Sequence, residues 1–152
     1  MSVDVVLEDD RWDGVLQAAA IRAVPATLRD AGLDPDGFEV AVLGCGDERI
    51  AGLNAEFRGR PAPTDVLSWP ASDLVPGDRP EEEMGDVAIS YDTCARQAAG
   101  RGLALADHVT HLMVHATLHL LGHDHMDEDE RAAMEAAEIR ILAGLGIPDP
   151  YG

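Results

Sequence analysis

The sequence predicts a single α+β domain over residues 1–152, with about four strands and five or six helices. Two kinds of hydrophobic pattern support this fold class: short β-branched runs bounded by turn residues, and longer stretches in which apolar residues recur at helical spacing. A chain of 152 residues can bury one core and leaves no room for a second domain. We expect a metal site at the end of one of the helices.

The elements can be placed from these patterns in chain order. Strands are predicted where β-branched and apolar residues cluster, at 3–7, 38–43, 64–70 and 85–90. Helices are predicted where apolar residues recur at helical spacing, at 12–33, 47–58, 91–101, 105–121 and 127–145. Pro25 should kink the first helix or start a second segment, because proline lacks the amide proton of a helix interior. Asp47 is the predicted N-cap of the second helix, and the polar stretch 72–83 is predicted to be a surface loop.

The stretch 115–125 holds four of the six histidines and predicts a metal site. His115 and His119 are four residues apart, which places both imidazoles on one face of a helix. Gly122 should end that helix, since glycine adopts a left-handed conformation without strain, and the chain can then bring His125 to the same point. Three neutral imidazoles leave one open position on a tetrahedral ion, which is typical of catalytic zinc. Nickel, copper or cobalt would also suit these ligands.

The other histidines nearby have weaker claims on the ion. His123 lies in the same turn and could be a spare ligand, a group that supports a ligand or a solvated neighbour, and the last two are favoured. His108 and His111 share the helix face but lie too far from His125 to bind the same ion, so they are predicted to be hydrogen-bonded packing groups.

The histidine spacing also matches the metzincin proteases, H-E-x-x-H-x-x-G-x-x-H, in which the glutamate is the general base. The corresponding residue in this chain is Ala116. Because alanine cannot accept a proton, a metallopeptidase is disfavoured.

Composition limits the partners and the compartment. The net charge is −18, and all eleven basic residues are arginine, so the surface repels polyanions at long range and does not suit a protein that coats nucleic acid. A short piece of RNA could still bind where a metal dication and a few arginines outweigh that field. No apolar run approaches the roughly 20 residues that span a bilayer, and residues 1–4 lack the features of a signal peptide, so we expect a cytoplasmic protein. Cys45 and Cys94 form no C-x-x-C pair and are predicted to be reduced and buried.

Several motifs resemble those of the YbeY family of bacterial rRNA maturation factors. Residues 115–125 are similar to the family signature H-G-x-L-H-L-x-G-Y-D-H, with Ala116 in place of glycine and His123 in place of tyrosine. Further matches are Asn54, Phe57 and Arg58 to N-x-x-Y/F-R, Thr64–Pro70 to T-D-V-L-S-F/W-P, Gly85–Ser90, and the closing Asp149, Pro150 and Tyr151. The resemblance runs from about residue 38 to residue 152, whereas the first third is only generally similar.

This resemblance implies a single-strand-specific, metal-dependent endoribonuclease that acts in 16S rRNA 3′-end maturation and ribosome quality control. It also implies a mixed, mostly parallel sheet packed with helices. His115, His119 and His125 correspond to the family's zinc ligands, and Arg58 corresponds to its functionally important arginine. The expected partners are single-stranded RNA, in particular rRNA, together with ribosomal proteins or an assembly GTPase, and neither DNA nor a membrane is expected.

The catalytic step can be stated in outline. Zinc lowers the pKa of bound water from about 16 to about 7, and the nucleophile could be that water or the 2′-hydroxyl of the RNA. Arg58 is predicted to bind the scissile phosphate through its planar guanidinium, the alternative being a surface salt bridge at a helix end. Asp65, Asp86 and Asp124 are candidates for a proton acceptor or for orienting a ligand imidazole. Structural roles are open for each of them: Asp124 could stabilise the turn, and Asp65 could brace the connector after Arg58.

A non-enzymatic function is the main alternative. In that case the protein is an assembly adaptor that docks on a ribosomal protein or GTPase through its acidic surface, and the zinc is structural. Removal of one histidine ligand separates the two, because an enzyme would lose turnover while a folded adaptor would keep its partner.

Overall fold

The computed structural model describes residues 2–152 and contains one four-stranded sheet and five α-helices. The strands are β1 (Ser2–Leu7), β2 (Glu39–Cys45), β3 (Val66–Pro70) and β4 (Glu83–Ser90). The helices are α1 (Leu16–Asp30), α2 (Asp47–Arg58), α3 (Tyr91–Arg101), α4 (Leu105–Leu120) and α5 (Glu128–Gly144). Short 3-10 turns lie at Asp10–Trp12 and Pro35–Gly37. The predicted α+β class is therefore confirmed.

The sheet is mixed and mostly parallel, as the family resemblance implied. Its strand order is β1-β2-β4-β3, with β1 and β4 both parallel to β2 and β3 antiparallel to β4. Val42 is in register with Val5 on one side and with Val87 on the other. β3 therefore lies at the edge of the sheet, where it also contacts α4.

The main core lies between one face of the sheet and the helices α1, α4 and α5. α4 is the central helix of this layer and contacts α1, α3, α5, β3 and β4. Apolar residues occur on most sides of α4, and a helix with that pattern is buried among other elements. Val109, Met113 and Leu120 are fully buried along it. The segment that carries the predicted metal ligands is thus one of the most firmly packed parts of the molecule.

The opposite face of the sheet is covered only in part, by α2. A small second core there contains Cys45, Ile50, Leu53, Leu67 and Ala88. Beyond it the face is open, and Asp4, Ala41, Asp86 and Trp69 form one row across the four strands. Phe57 packs edge-on against Trp69 at 5.4 Å between ring centroids, yet remains 57% exposed.

One of the two alternatives for Pro25 is wrong: it does not start a second segment, because the first helix begins at Leu16 and runs unbroken to Asp30. A kink at Pro25 stays a prediction. The carbonyl oxygen that loses its helical donor belongs to Ile21, whose side chain is 62% exposed, so water can reach that turn.

Asp47 is the first residue of α2 rather than its N-cap, which is Gly46. The Asp47 carboxylate instead accepts hydrogen bonds from Ser90 and Thr93, and the carboxylate of Asp92 accepts the Asp47 backbone N–H at 2.9 Å. The cap of α2 therefore comes from the first turn of α3.

Other expectations agree with the structure. Cys45 and Cys94 are free thiols and both are buried. Residues 72–82 lie in a mainly exposed loop before β4. Among residues 2–152, no helix has the length and apolar character needed to cross a membrane.

Candidate metal centre

The turn after α4 brings the predicted ligands together. The N–H of Gly122 donates to the carbonyl of His119, and the N–H of His123 donates to that of Leu118, each at 3.0 Å. This pair of bonds is a Schellman motif, which needs a left-handed residue after the helix. Gly122 supplies it with φ of +98°, and the chain then turns back towards the helix face that carries His115.

The imidazoles of His115, His119 and His125 converge on one point. Each offers a ring nitrogen, and the three nitrogens all lie within 4.8 Å of one another. The Nε2 atoms of His115 and His119 are 3.1 Å apart, and the ring of His125 is 5.2 Å from that of His119 between centroids. Residues on α4 and on the following turn are therefore positioned to hold one metal ion.

Hydrogen bonds at the far side of two rings fix which nitrogen faces that point. His115 donates from Nδ1 to Oε1 of Glu138 at 2.7 Å, and His119 donates from Nδ1 to the carbonyl oxygen of His123 at 2.9 Å. A neutral imidazole carries one proton, so both Nε2 atoms then present lone pairs. Two lone pairs that face each other at 3.1 Å repel, because neither nitrogen carries a proton to donate to the other. A cation bound by both nitrogens would remove this repulsion. The donor set thus fits a divalent transition metal.

Burial keeps His119 ready to bind a cation. Loss of hydration, followed by the nearby imidazole of His115, lowers the pKa of His119 to about 4. His119 is therefore neutral at physiological pH, which is the form that binds a metal.

Glu138 is the functional residue that the sequence did not reveal. Its side chain on α5 is 0% exposed and accepts hydrogen bonds from His111 Nε2 at 2.6 Å, His115 Nδ1 at 2.7 Å and the Tyr151 hydroxyl at 2.5 Å. Burial opposes its ionisation, but these three donors outweigh burial and hold its pKa at about 2. The available signal was its place among buried Met134, Ile141 and Leu142, where a lone carboxylate interrupts an apolar face.

The histidines open into a cavity of about 350 Å³. It is lined by side chains from four elements and from the segments around them, including Arg58, Asp65, Arg101 and Tyr151. A second cavity, of about 770 Å³, shares Arg58, His119 and His125 with the first and extends past Arg60. His119 and His125 therefore lie where these two cavities meet, and His115 and His125 also line a third, of about 350 Å³.

Arg58 and Arg101 both line this cavity and are free to bind a ligand there. Arg58 is the last residue of α2 and Arg101 the last residue of α3, and both side chains are exposed. Neither side chain makes a hydrogen bond or an ion pair within residues 2–152, so the surface salt bridge considered for Arg58 is not observed there. Four other arginines (Arg11, Arg49, Arg96 and Arg140) are paired with carboxylates.

The three candidate aspartates have different positions. Asp65 lines the cavity, but its carboxylate accepts hydrogen bonds from the Val66 N–H at 2.6 Å and from Gln97 Nε2 at 3.3 Å. Asp124 accepts the backbone N–H of His125 at 2.7 Å and so stabilises the turn. Asp86 lies on the open face of the sheet, away from the histidines.

Within the described chain, none of these aspartates donates to or accepts from a ligand imidazole, and Glu138 is the carboxylate that orients one of the three histidines.

The remaining histidines take supporting positions. The backbone of His123 accepts from His119, while its half-buried side chain is influenced by the charges of Asp30 and Arg140 rather than joining the three ligands. Burial is the main cause that lowers the pKa of His123. His108 and His111 are buried and hydrogen-bonded, to Gln97 and to Glu138 respectively, as predicted.

Fold and site together define a small α+β protein in which three histidines are positioned to hold a metal ion. Residues 8–146 match the family described as Endoribonuclease YbeY. A Paracoccus denitrificans protein named Endoribonuclease YbeY is 58% identical, over 98% of this chain and 89% of its own length. A Ruegeria pomeroyi protein of the same name is 51% identical, over 99% of this chain and 98% of its own length. The chain therefore belongs to the YbeY family.

A solved structure has the same fold. The solution structure of the protein TM1509 from Thermotoga maritima superposes with a TM-score of 0.60, covering 95% of this chain and 91% of that one. At 17% sequence identity the likeness supports the fold alone.

Proposed function

We propose that this protein is a cytoplasmic, zinc-dependent endoribonuclease that cleaves single-stranded RNA in 16S rRNA 3′-end maturation and ribosome quality control. Residues 1–152 form its catalytic domain, and His115, His119 and His125 hold the ion. The observation that carries the proposal is the pair of Nε2 lone pairs that face each other in a cavity lined by unpaired arginines. The relatives at 58% and 51% identity are named endoribonucleases, which agrees with it.

The residues around the cavity have distinct tasks. A zinc ion held by the three imidazoles would supply Lewis acidity at neutral pH. Arg58 binds the scissile phosphate, because its guanidinium offers two parallel donors to two phosphate oxygens and stays charged. Arg101 lines the same cavity and contacts a neighbouring phosphate of the same RNA segment. The Asp65 carboxylate is oriented by hydrogen bonds from Gln97 Nε2 and from the Val66 N–H. Because it also lines the cavity, Asp65 is the candidate proton acceptor.

The placement of the arginines explains how an acidic protein can bind RNA. The chain carries a net charge of −18, but Arg58 and Arg101 line the cavity while Asp65 is the one acidic residue in its lining. Four of the nine other arginines, Arg11, Arg49, Arg96 and Arg140, are paired with carboxylates. Phosphate therefore encounters two arginines at the cavity, and a metal dication held by the histidines would add to their attraction.

The shape of the site suits an extended strand. Two cavities meet at His119 and His125, so an RNA chain can enter along one and leave along the other with its scissile phosphate at the histidines. The second cavity contributes Arg60, a cation of the kind that binds the backbone of single strands, and the exposed side chain of Met126.

One observation favours the non-enzymatic alternative of an assembly adaptor. The open sheet face combines exposed apolar side chains of Val6 and Phe57 with the carboxylates of Asp4 and Asp86. Such a surface suits a basic protein, and a ribosomal protein or an assembly GTPase could dock there. A peptidase finds less support, since Ala116 is buried and provides no base.

The test is cleavage of end-labelled single-stranded RNA by protein whose metal content has been quantified. The His119→Ala variant should lose both metal and cleavage. The matched control is His123→Tyr, which alters the same turn without removing a ligand and should keep both. Stoichiometric metal in a wild-type protein that cleaves no RNA would contradict the nuclease and favour the adaptor.

A further inference from the structure

We propose that Glu138 and Tyr151 act together as positioning residues for the metal ligand His115. This inference concerns the metal centre of the proposed function, and it assigns roles to two residues far from the histidine motif. The Glu138 carboxylate accepts a hydrogen bond from His115 Nδ1 and another from the Tyr151 hydroxyl. A chain of hydrogen bonds therefore runs from Tyr151 through Glu138 to His115.

The geometry shows what Glu138 does for His115. The two nitrogens of an imidazole lie on different edges of the ring, so a carboxylate bonded to Nδ1 cannot also reach an ion at Nε2. The 2.7 Å bond to Glu138 places the ring proton on Nδ1 and turns Nε2 towards His119. A carboxylate that accepts from a metal-bound histidine also makes that histidine a stronger electron donor to the ion.

A catalytic role for Glu138 is excluded by its surroundings. The side chain is 0% exposed, and both oxygens are used, Oε1 by His115 and Oε2 by His111 and Tyr151. It does not line the cavity that contains Arg58 and Arg101, and at the neighbouring cavity that it shares with His115 and His125 both of its oxygens are already hydrogen-bonded. Its effect on catalysis must pass through His115.

Tyr151 completes this arrangement from the segment that follows α5. Its ring packs edge-on against His111 at 5.6 Å between centroids, and its hydroxyl lies 2.5 Å from Oε2 of Glu138. Tyr151 is 48% exposed, so its ring contributes little to the core. The hydroxyl is the group that is fixed, by its hydrogen bond to Glu138. Loss of that hydroxyl leaves Oε2 with His111 alone and lets the carboxylate rotate.

The test measures zinc affinity by competition with a chromophoric chelator, in the absence of RNA. The Glu138→Gln variant should bind zinc about 10–100-fold more weakly than wild type, the usual effect of losing such a partner. The Tyr151→Phe variant should show a smaller loss of several-fold. Two controls should bind zinc as wild type does: Glu135→Gln, one turn away on α5, and Tyr91→Phe, whose ring packs edge-on against Trp12.

Thermal melting of the metal-free variants separates positioning from general destabilisation. Zinc affinity must fall in Tyr151→Phe while its metal-free melting temperature stays at that of Tyr91→Phe. If Glu138→Gln fails to fold, Tyr151→Phe decides. Wild-type zinc affinity in Tyr151→Phe, or in both variants, would overturn the inference.

The experiments also distinguish a failure of this inference from a failure of the proposed function on which it rests. A wild-type protein that binds zinc but cleaves no RNA would remove the nuclease and leave this inference standing. A wild-type protein that cleaves RNA, with variants that hold zinc unchanged, would remove the inference alone.

Discussion

His119 donates from Nδ1 to the backbone carbonyl oxygen of His123 at 2.9 Å, so the helix and the turn that follows it form one unit. The same carbonyl belongs to the turn that Gly122 makes possible. Any change that moves the turn therefore moves the ring of His119 and the approach of His125. The convergence of the three histidines depends on backbone conformation as much as on their side chains.

Gly122→Ala should destabilise the protein and weaken metal binding. Gly122 has φ of +98°, and a Cβ there would lie 2.6 Å from the backbone of Leu74, so strain and overlap act together. We expect a loss of about 2–3 kcal/mol in the free energy of unfolding, measured by urea denaturation. Two glycine controls separate the causes: Gly102→Ala, with φ of +66° and open space, should cost about 1 kcal/mol, and Gly144→Ala should cost nothing. Equal stability of all three variants would contradict this account.

Arg58→Ala should keep the metal and lose most of the RNA cleavage. The guanidinium is exposed, unpaired within residues 2–152 and placed in the cavity with the histidines, so its removal leaves the fold and the ligands intact. We expect kcat to fall about a hundredfold, as when one donor to a transition-state charge is removed. Metal content and single-turnover cleavage rates check this, and full activity in the variant would remove Arg58 from the mechanism.

Arg101→Gln should raise KM for single-stranded RNA by about tenfold, the effect of losing one charged hydrogen bond to phosphate. Arg96→Gln is the matched control on the same helix, because Arg96 pairs with Asp47 at 2.9 Å and does not line the cavity. KM should be unchanged in this control. If the two variants raise KM equally, the effect reflects net charge and Arg101 has no direct contact with RNA.

The stability of the metal-free protein should fall as the pH drops from about 6.5 to about 4. His119 has its pKa lowered to about 4 in the folded protein, whereas the unfolded chain takes up a proton near 6.5. Stability from this group is therefore complete above pH 6.5 and is lost across that window, on the order of 2–3 kcal/mol. Glu138, with a folded pKa of about 2, adds a second loss between about 4.5 and 2. Urea denaturation across pH should show a smaller first loss in His119→Asn, and a flat profile in wild type would contradict the assignment.

Asp86→Asn should leave metal binding and RNA cleavage unchanged in vitro. Asp86 lies on the open face of the sheet, in register with Ala41 and Trp69, whereas the histidines lie beyond the opposite face. Zinc titration and RNA cleavage by the variant check this directly. A loss of cleavage with intact fold would show that the two faces are coupled.

The parts of the site that the sequence revealed are those set by local spacing. His115 and His119 are one helical turn apart, and a glycine follows their helix. These two local features are enough to predict that the chain reverses and that the histidines converge. Arg58 was found through the family motif, since its distance in sequence from the histidines gives no local signal.

The parts that were missed depend on contacts between distant elements. Glu138 lies 23 residues after His115 and meets it only because α5 packs against α4. The cap of α2 was assigned to Asp47 by local preference, but Asp92 takes that role from α3, 45 residues away. Arg101 had no pattern of its own, and only the packing of α3 beside α4 brings it to the cavity.

The separation between a negative surface and a few unpaired arginines at the cavity has a kinetic consequence. RNA approaching from bulk solvent first meets the repulsion of 18 net negative charges and meets the arginines only within about 10 Å, the Debye length at 0.1 M salt. Added salt first screens the repulsion and speeds encounter, then weakens the phosphate contacts themselves. Cleavage at limiting RNA should therefore pass through a maximum as ionic strength rises, whereas a protein with a basic surface would show a steady decline.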